Sequence, residues 1–207
     1  MTAAHVVLWR HGQTDWNLSG RYQGQGDQPL NAVGIEQARV VAPLLAGMAP
    51  ARVLSSDLQR ARVTAEALCA ISGNELEIDP RLQEINVGHW VGMTKDEIYV
   101  GDPGFQRALA AGGDWRRSPT GETGAEAGSR VALALLDLAE SVPDGSTVVA
   151  VGHGFSMRIA TTMLLGLNYT DNHVLAGLRN CSWTILQPLG ERWRLVSYNH
   201  VADAAPR

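Results

Sequence analysis

Two histidines, each followed by a glycine, stand at the ends of short apolar runs of the chain. Arg10-His11-Gly12 follows residues 5–9, and His153-Gly154 closely follows residues 147–151. Apolar runs of this length are typical of buried strands, and ligands of open α/β sheets bind beyond the carboxyl ends of the strands. We therefore expect both imidazoles in one crevice, where a histidine can act as a nucleophile near neutral pH.

The cations available to this crevice are arginines, because Lys95 is the only lysine among 207 residues. Residues 56–59 fit a capping box with Ser56 as the N-cap, so we expect Arg60 near the start of a helix. A helix N-terminus favours an anion, and the planar guanidinium binds two phosphate oxygens at once. Glu84, in a loop, is a candidate carboxylic acid at the rim.

Composition excludes several classes of ligand. The formal net charge of −4 argues against nucleic acid and membrane surfaces as partners. No apolar stretch approaches the length of a membrane span, and we recognise no signal peptide. Two cysteines, Cys69 and Cys181, are too few for a disulfide framework and lack metal-ligand spacing. We expect a cytoplasmic protein without a metal or cofactor; the sequence leaves a homodimer open.

The spacing of apolar residues predicts strands and helices in alternation. The strands are expected at residues 5–9, 52–54, 76–78, 147–151, 181–186 and 193–198, the last two joined by a hairpin turn at Gly190-Glu191. Helices are expected at 31–46, after Ser56, and at 95–100, 103–111, 122–142 and 154–165. No linker interrupts the chain, so residues 1–207 form a single α/β domain in three layers, with a mostly parallel sheet between helices and fraying at 202–207.

The segment Leu8-Trp9-Arg10-His11-Gly12-Gln13-Thr14, with Asn17, resembles the signature of the histidine phosphatase superfamily, the phosphoglycerate-mutase-like proteins. The resemblance continues in the family's order through residues 55–61, 81–84, 88–92, 121–123 and 151–154. It implies the phosphoglycerate-mutase-like version of the three-layer fold. It also implies phosphoryl transfer, which needs positioning and cationic stabilisation more than it needs a metal.

The resemblance assigns roles to the matched positions. His11 corresponds to the nucleophile that becomes phosphorylated, and Glu84 to the proton donor. The residues implied to bind phosphate or substrate are Arg10, Asn17, Gln23, Gly24, Arg60, His153 and Gly154. His153 is expected to be cationic beside the phosphate and to stabilise the transition state.

Two further features bear on the activity. Mutases of the superfamily carry a tyrosine three residues after the proton donor, where this chain has Val87, although residues 115–118 look like a mutase segment. Residues 180–186 and 192–195 resemble the C-terminal hairpin of glucosyl-3-phosphoglycerate phosphatases. We expect hydrolysis of a small phosphorylated metabolite, with glucosyl-3-phosphoglycerate as the candidate. The alternatives are a cofactor-dependent phosphoglycerate mutase and a non-catalytic protein that binds a phospho-ligand.

Overall fold

A mixed six-stranded sheet is the centre of the part of the chain described by the computed structural model, residues 2–203 and 205–206. The strands are β1 (His5–Arg10), β2 (Pro50–Ser55), β3 (Leu76–Ile78), β4 (Thr147–Gly152), β5 (Trp183–Leu189) and β6 (Arg192–His200). Their order in the sheet is β3-β2-β4-β1-β5-β6. The first four are parallel to one another, while β5 is antiparallel to both β1 and β6. The expected fold class is confirmed.

Helices lie on both faces of the sheet and at one of its ends. They are α1 (Asp15–Leu18), α2 (Ala32–Ala46), α3 (Gln59–Ser72), α4 (Lys95–Gly101), α5 (Pro103–Ala110), α6 (Gly124–Glu140) and α7 (Gly154–Leu164). Short 3₁₀ turns lie at Pro80–Leu82, Gly88–Trp90 and Tyr169–Val174. Helix α6 starts two residues later than expected because Thr123 caps it and forms a capping box with Glu126.

The alternation of side chains along the central strands divides the core into two layers. Val6 and Leu8 of β1 pack in one cluster with α6 and α7, whereas Val7 and Trp9 pack in the other with α2 and α3. Successive side chains of a strand point to opposite faces, so a strand that is apolar on both faces must be covered twice. This double coverage is the reason for three layers.

The start of α3 differs from the sequence expectation. Ser56 does not cap the helix; the N-cap is Leu58, and α3 begins at Gln59. The N–H of Gln59 is instead bound by the Asp27 carboxylate at 2.6 Å, from a loop 32 residues earlier. Because Asp27 already accepts from this N–H at the start of the helix, the Ser56 hydroxyl is not needed as its acceptor and can contact another group. Arg60 still lies in the first turn of α3, as expected.

The chain between β3 and α6 folds over the carboxyl ends of the strands and forms a small core of its own. Ile85, Trp90, Ile98 and Phe105 are buried there together. At the other end of the chain, strand β5 starts at Trp183 rather than at Cys181. Residues 204 and 207 of the segment expected to fray lie outside the described residues.

Candidate active site

The two histidines meet because their strands are neighbours in the sheet. Arg10 of β1 pairs with Gly152 of β4, so His11 and His153 each follow the same level of the sheet. Their ring centroids are 5.2 Å apart, and both side chains are almost completely buried. The crevice predicted from the two strand ends therefore exists.

The His11 ring has a defined proton arrangement. Its Nδ1 lies 2.6 Å from the carbonyl oxygen of Gly12. A carbonyl oxygen only accepts, so Nδ1 carries the hydrogen and Nε2 keeps its lone pair. Burial and the positive charges of Arg60 and Arg10 set the pKa of His11 well below its usual 6.5. The imidazole is therefore neutral at pH 7 and presents an unprotonated nitrogen.

The loop that carries His11 is fixed by its backbone. The N–H of Gly12 donates to the hydroxyl of Thr64 at 3.1 Å, and the N–H of Gln13 donates to the side chain of Gln37 at 2.9 Å. Gly12 also touches Gly34 of α2 so closely that a Cβ on Gly12 would lie 2.3 Å from the Gly34 carbonyl oxygen. The loop thus lies directly against the helix, with no side chain between them.

Two arginines, the half-buried Arg10 and the fully buried Arg60, line the same cavity as His11. The Arg60 side chain donates to the carbonyl oxygens of Gly26 at 2.7 Å and Gly24 at 2.8 Å, and its residue is 0% exposed. Burial lowers the pKa of Arg60 to about 10, so the guanidinium is charged at neutral pH. Arg10 donates to the carbonyl oxygen of Leu178. Both cations are fixed before any ligand arrives, which favours anion binding.

His153 is oriented by a serine that the sequence analysis had assigned to a helix cap. Its Nε2 lies 3.0 Å from the hydroxyl of Ser56, which also accepts from the N–H of Leu58 at 3.3 Å. A hydroxyl that accepts from Leu58 has its own hydrogen for Nε2, which favours a proton on Nδ1 of His153. Within the described residues Nδ1 is buried without a protein partner. Burial and Arg60 lower the pKa of His153 well below 6.5, so the expected positive charge is absent from the unliganded protein.

Glu84 is fixed at the N-terminus of α7. Its carboxylate accepts from the N–H groups of Phe155 at 3.0 Å and Ser156 at 2.8 Å. Arg130 of α6 holds the same loop by donating to the backbone carbonyl of Glu84 and to the Glu122 carboxylate, each at 2.8 Å. The ion pair with Arg130 lowers the pKa of Glu122 despite its partial burial, which removes Glu122 as a rival proton donor.

A cavity of about 400 Å³ opens in front of these groups. Seven of the residues expected from the sequence line it: Arg10, His11, Asn17, Gln23, Gly24, Arg60 and Glu84. Asn17 uses its Oδ1 to accept from Thr14 and Asn180, which leaves the Nδ2 amino group as its donor. His153 and Gly154 lie behind this lining, and a Cβ on Gly154 would lie 3.0 Å from Nε of Arg10. The glycine gives Arg10 its space.

Four further residues that line the cavity, Phe105, Arg117, Phe155 and Arg158, are not among the site residues expected from the sequence. Arg117 is 3% exposed, and its guanidinium carbon lies 5.1 Å from the ring centroid of Phe105 and 5.2 Å from that of Phe155. Arg158 lies 5.5 Å above the same Phe155 ring. These cation–π contacts join α5, α7 and the loop before α6. The sequence marks Arg117 only as part of residues 115–118, which look like a mutase segment and do not indicate where this side chain lies.

The described residues contain neither a cluster of metal-binding side chains nor a helix that could span a membrane. No group of three His, Cys, Asp or Glu side chains in residues 2–203 and 205–206 is placed to hold a metal ion. Nor does any helix there have the length and apolar character needed to cross a membrane.

Residues 6–201 match the family described as the histidine phosphatase superfamily (branch 1). The chain belongs to this superfamily. A glucosyl-3-phosphoglycerate phosphatase of Mycolicibacterium vanbaalenii is 38% identical, over 99% of this chain and 98% of the relative. A probable phosphoglycerate mutase GpmB of an Enterobacter species is 36% identical, over 86% of this chain and 81% of the relative.

Solved structures give the same picture of this superfamily member. A mycobacterial glucosyl-3-phosphoglycerate phosphatase complexed with VO3 matches with a TM-score of 0.86 and 36% identity, covering 95% of this chain and 98% of that one. A phosphoserine phosphatase of Entamoeba histolytica matches with a TM-score of 0.83 and 31% identity, covering 94% of this chain and 96% of that one. The expected class of activity is confirmed: the chain is a phosphatase. The mutase alternative is supported only weakly.

Proposed function

We propose that the protein hydrolyses a phosphomonoester through a phosphohistidine on His11. The observation that carries this proposal is the hydrogen bond from Nδ1 of His11 to the Gly12 carbonyl oxygen, which leaves Nε2 for a cavity that Arg10 and Arg60 also line. A phosphoryl group bound by Arg10, Arg60 and the Asn17 amide has its negative oxygens neutralised where charge accumulates. Gln23, Gly24 and Gly154 shape the same site rather than take part in bond making.

In the first step the lone pair of Nε2 forms a bond to phosphorus while the ester oxygen leaves with its electron pair. An alkoxide is a poor leaving group, so it must receive a proton as it departs, and the Glu84 carboxyl is the proposed donor. In the second step Glu84 takes a proton from water. The hydroxide oxygen forms a bond to phosphorus while the bond between phosphorus and Nε2 of His11 breaks, and its electron pair returns to Nε2 to restore the neutral imidazole. The Nδ1–H of His153 is proposed to stabilise the equatorial oxygens in this step.

The proposed substrate is glucosyl-3-phosphoglycerate, supported by the 38% identity to a phosphatase of that name over nearly the full chain. No metal takes part in the proposed mechanism, because arginines supply the positive charge that a metal supplies elsewhere. Activity should accordingly survive dialysis against a chelator.

We place the protein in the cytoplasm on the strength of its free thiols, Cys69 and Cys181. The homodimer stays a prediction, which light scattering checks.

The phosphoenzyme can be trapped directly. The purified protein is mixed with a radiolabelled phosphomonoester, denatured within milliseconds, and its phosphorylated peptide identified. Phosphohistidine is labile in acid and stable in base, so we expect a label with that behaviour at His11. The variant His11→Ala is the control and should take up no label.

A label elsewhere, or none in a protein that turns over the ester, refutes the mechanism. A protein that binds the ester tightly with neither label nor turnover is the non-catalytic binding protein. Release of labelled phosphate to a second phosphoglycerate instead of water identifies the mutase.

A further inference from the structure

A second cavity, the annex, adjoins the one that contains His11. It measures about 300 Å³. Leu109, Phe155 and Arg158 line both cavities, so the two are neighbours along these three residues. Arg10 and Arg60, which would bind the phosphate, line the first cavity and not the annex. The annex is therefore placed to receive a part of the substrate remote from the reacting bond.

The groups around the annex are of mixed character: besides Arg158 and His173 they include apolar, aromatic and uncharged polar side chains. They combine two aromatic rings, Phe155 and Tyr169, with the side chains of Thr170 and Asn172. Asn172 uses its Nδ2 to donate to the carbonyl oxygen of Tyr169 at 2.6 Å, which leaves its Oδ1 as an acceptor. Flat apolar faces beside hydrogen-bonding groups fit a ligand with C–H faces and several hydroxyls. A sugar ring has both.

Arg158 stands where the two cavities join. Its guanidinium lies above the Phe155 ring, and its hydrogen bond to the carbonyl oxygen of Leu175 is long, at 3.4 Å. Most of its donors are therefore available to a ligand. A carboxylate at the junction would gain a charge-assisted hydrogen bond.

We propose that the annex binds a hexosyl group on the leaving alcohol, while Arg158 binds the carboxylate at the branch point. This inference rests on the proposed function, since it takes the phosphate to lie at His11. The free hydroxyl of a 3-phosphoglycerate is on the carbon next to its carboxylate. A sugar attached to that hydroxyl and the carboxylate therefore sit on adjacent carbons, and Arg158 lines both the first cavity and the annex. A bare phosphoglycerate leaves the annex unused.

The experiment measures binding by calorimetry, in the His11→Ala background so that no ligand is consumed. The ligands are glucosyl-3-phosphoglycerate and 3-phosphoglycerate. We expect the glucosylated ligand to bind about 10- to 100-fold more tightly, as one or two net hydrogen bonds and a stacked ring provide. Ala110→Trp, which fills the annex, should abolish that ratio. Ala111→Trp, one residue beyond α5 and outside the lining, is the matched control and should retain it.

Arg158→Gln separates the two parts of the proposal. Both ligands carry the carboxylate, so this variant should weaken both by a similar factor and keep their ratio. Equal affinities of the two ligands, or a ratio that survives Ala110→Trp, overturn the annex. Turnover of p-nitrophenyl phosphate by the wild-type protein judges the proposed function separately. If the wild-type protein turns over p-nitrophenyl phosphate but the two ligands bind with equal affinity, the proposed hydrolysis is retained and the annex proposal is rejected. If the glucosylated ligand binds more tightly but no turnover is seen, the annex proposal is retained and the proposed hydrolysis is rejected.

Discussion

The floor and the wall of the cavity are built in different ways. The floor consists of Arg10, His11, Arg60 and His153, which stand at strand ends or in the first turn of α3. The side chains of His11, Arg60 and His153 are buried. His11 and Arg60 are hydrogen-bonded to backbone carbonyl oxygens, and His153 is hydrogen-bonded to Ser56. The wall consists of Phe105, Arg117, Phe155 and Arg158, which come from helices and loops outside the sheet and hold one another through cation–π contacts.

The difference corresponds to a division of chemical labour. A phosphoryl group has the same shape in every substrate, so the groups that stabilise it belong on the rigid sheet, where positions vary least. The alcohol differs between substrates, and the loops that contact it tolerate change. Floor variants should therefore impair every ester, whereas wall variants should change the ranking of esters.

Glu84 tests this division most sharply. It lies in the segment between β3 and α6, which also contains Phe105 and Arg117 of the wall, but its proposed role is in the chemical step. The Glu84→Gln variant should lower kcat on an alkyl phosphate by roughly 10²–10⁴, the usual contribution of a general acid. On p-nitrophenyl phosphate, whose phenolate leaves without a proton, the first step should be nearly unaffected. A burst of nitrophenol followed by slow turnover measures both steps. Equal and small losses on the two esters, with no burst, would remove Glu84 from the role.

Arg60→Ala should lower kcat by roughly 10²–10³ on alkyl and aryl esters alike, as loss of one fixed donor does in other enzymes. Arg62, two residues further along α3, is exposed and pairs with Glu66 at 3.6 Å, so Arg62→Ala is the matched control and should change little. Steady-state kinetics of both variants provide the measurement. An effect confined to KM would show that Arg60 binds only the ground state.

Ser56→Ala should lower kcat by about 10-fold through the loss of one hydrogen bond to His153. Ser55 offers a matched control, since it is equally buried and its hydroxyl donates to the Ser56 carbonyl oxygen at 2.9 Å without touching either imidazole. Thermal unfolding of both alanine variants corrects for stability. If Ser55→Ala slows turnover as much as Ser56→Ala at the same Tm, Ser56 is only a packing residue.

The smallest expected effect is on stability against pH. The pKa values of His11 and His153 are lowered in the folded state, so below about pH 6.5 the unfolded chain binds more protons. Stability is therefore full above that pH and falls as the pH drops below it, by roughly 2–4 °C in Tm for each kcal/mol lost. His153→Asn should flatten the decline between pH 6.5 and 5. An unchanged slope would mean that His153 takes up its proton in the folded protein.

The sequence predicts the floor better than the wall for a physical reason. Arg10, His11 and His153 follow apolar runs whose strand character is local, and parallel strands bring their carboxyl ends together. Glu84 has no such local signal, because its position depends on N–H groups of α7 and on Arg130. Its place in a loop makes Glu84 a candidate acid at the rim, but only the family resemblance assigns it the role of proton donor.

Ser56 belongs to a segment whose composition predicts a helix cap that the structure does not contain. Residues 56–59 satisfy the capping-box pattern, but the N–H of Gln59 is bound by Asp27 from a distant loop. The annex and the contacts of Arg158 likewise depend on which loops meet in space. Such contacts are set by packing between segments far apart in the chain, which spacing within one segment does not reveal.

The contact between Gly12 and Gly34 also limits how this protein can change. A Cβ on Gly34 would lie 2.1 Å from the carbonyl oxygen of Gln13, just as one on Gly12 would strike Gly34. Neither position can accept even alanine unless α2 moves away from β1. The residue type at Gly34, on a helix that covers the sheet, is thus as tightly constrained as the residue type at His11. Any transplant of the His11 loop into another scaffold must carry this helix with it, at the same separation.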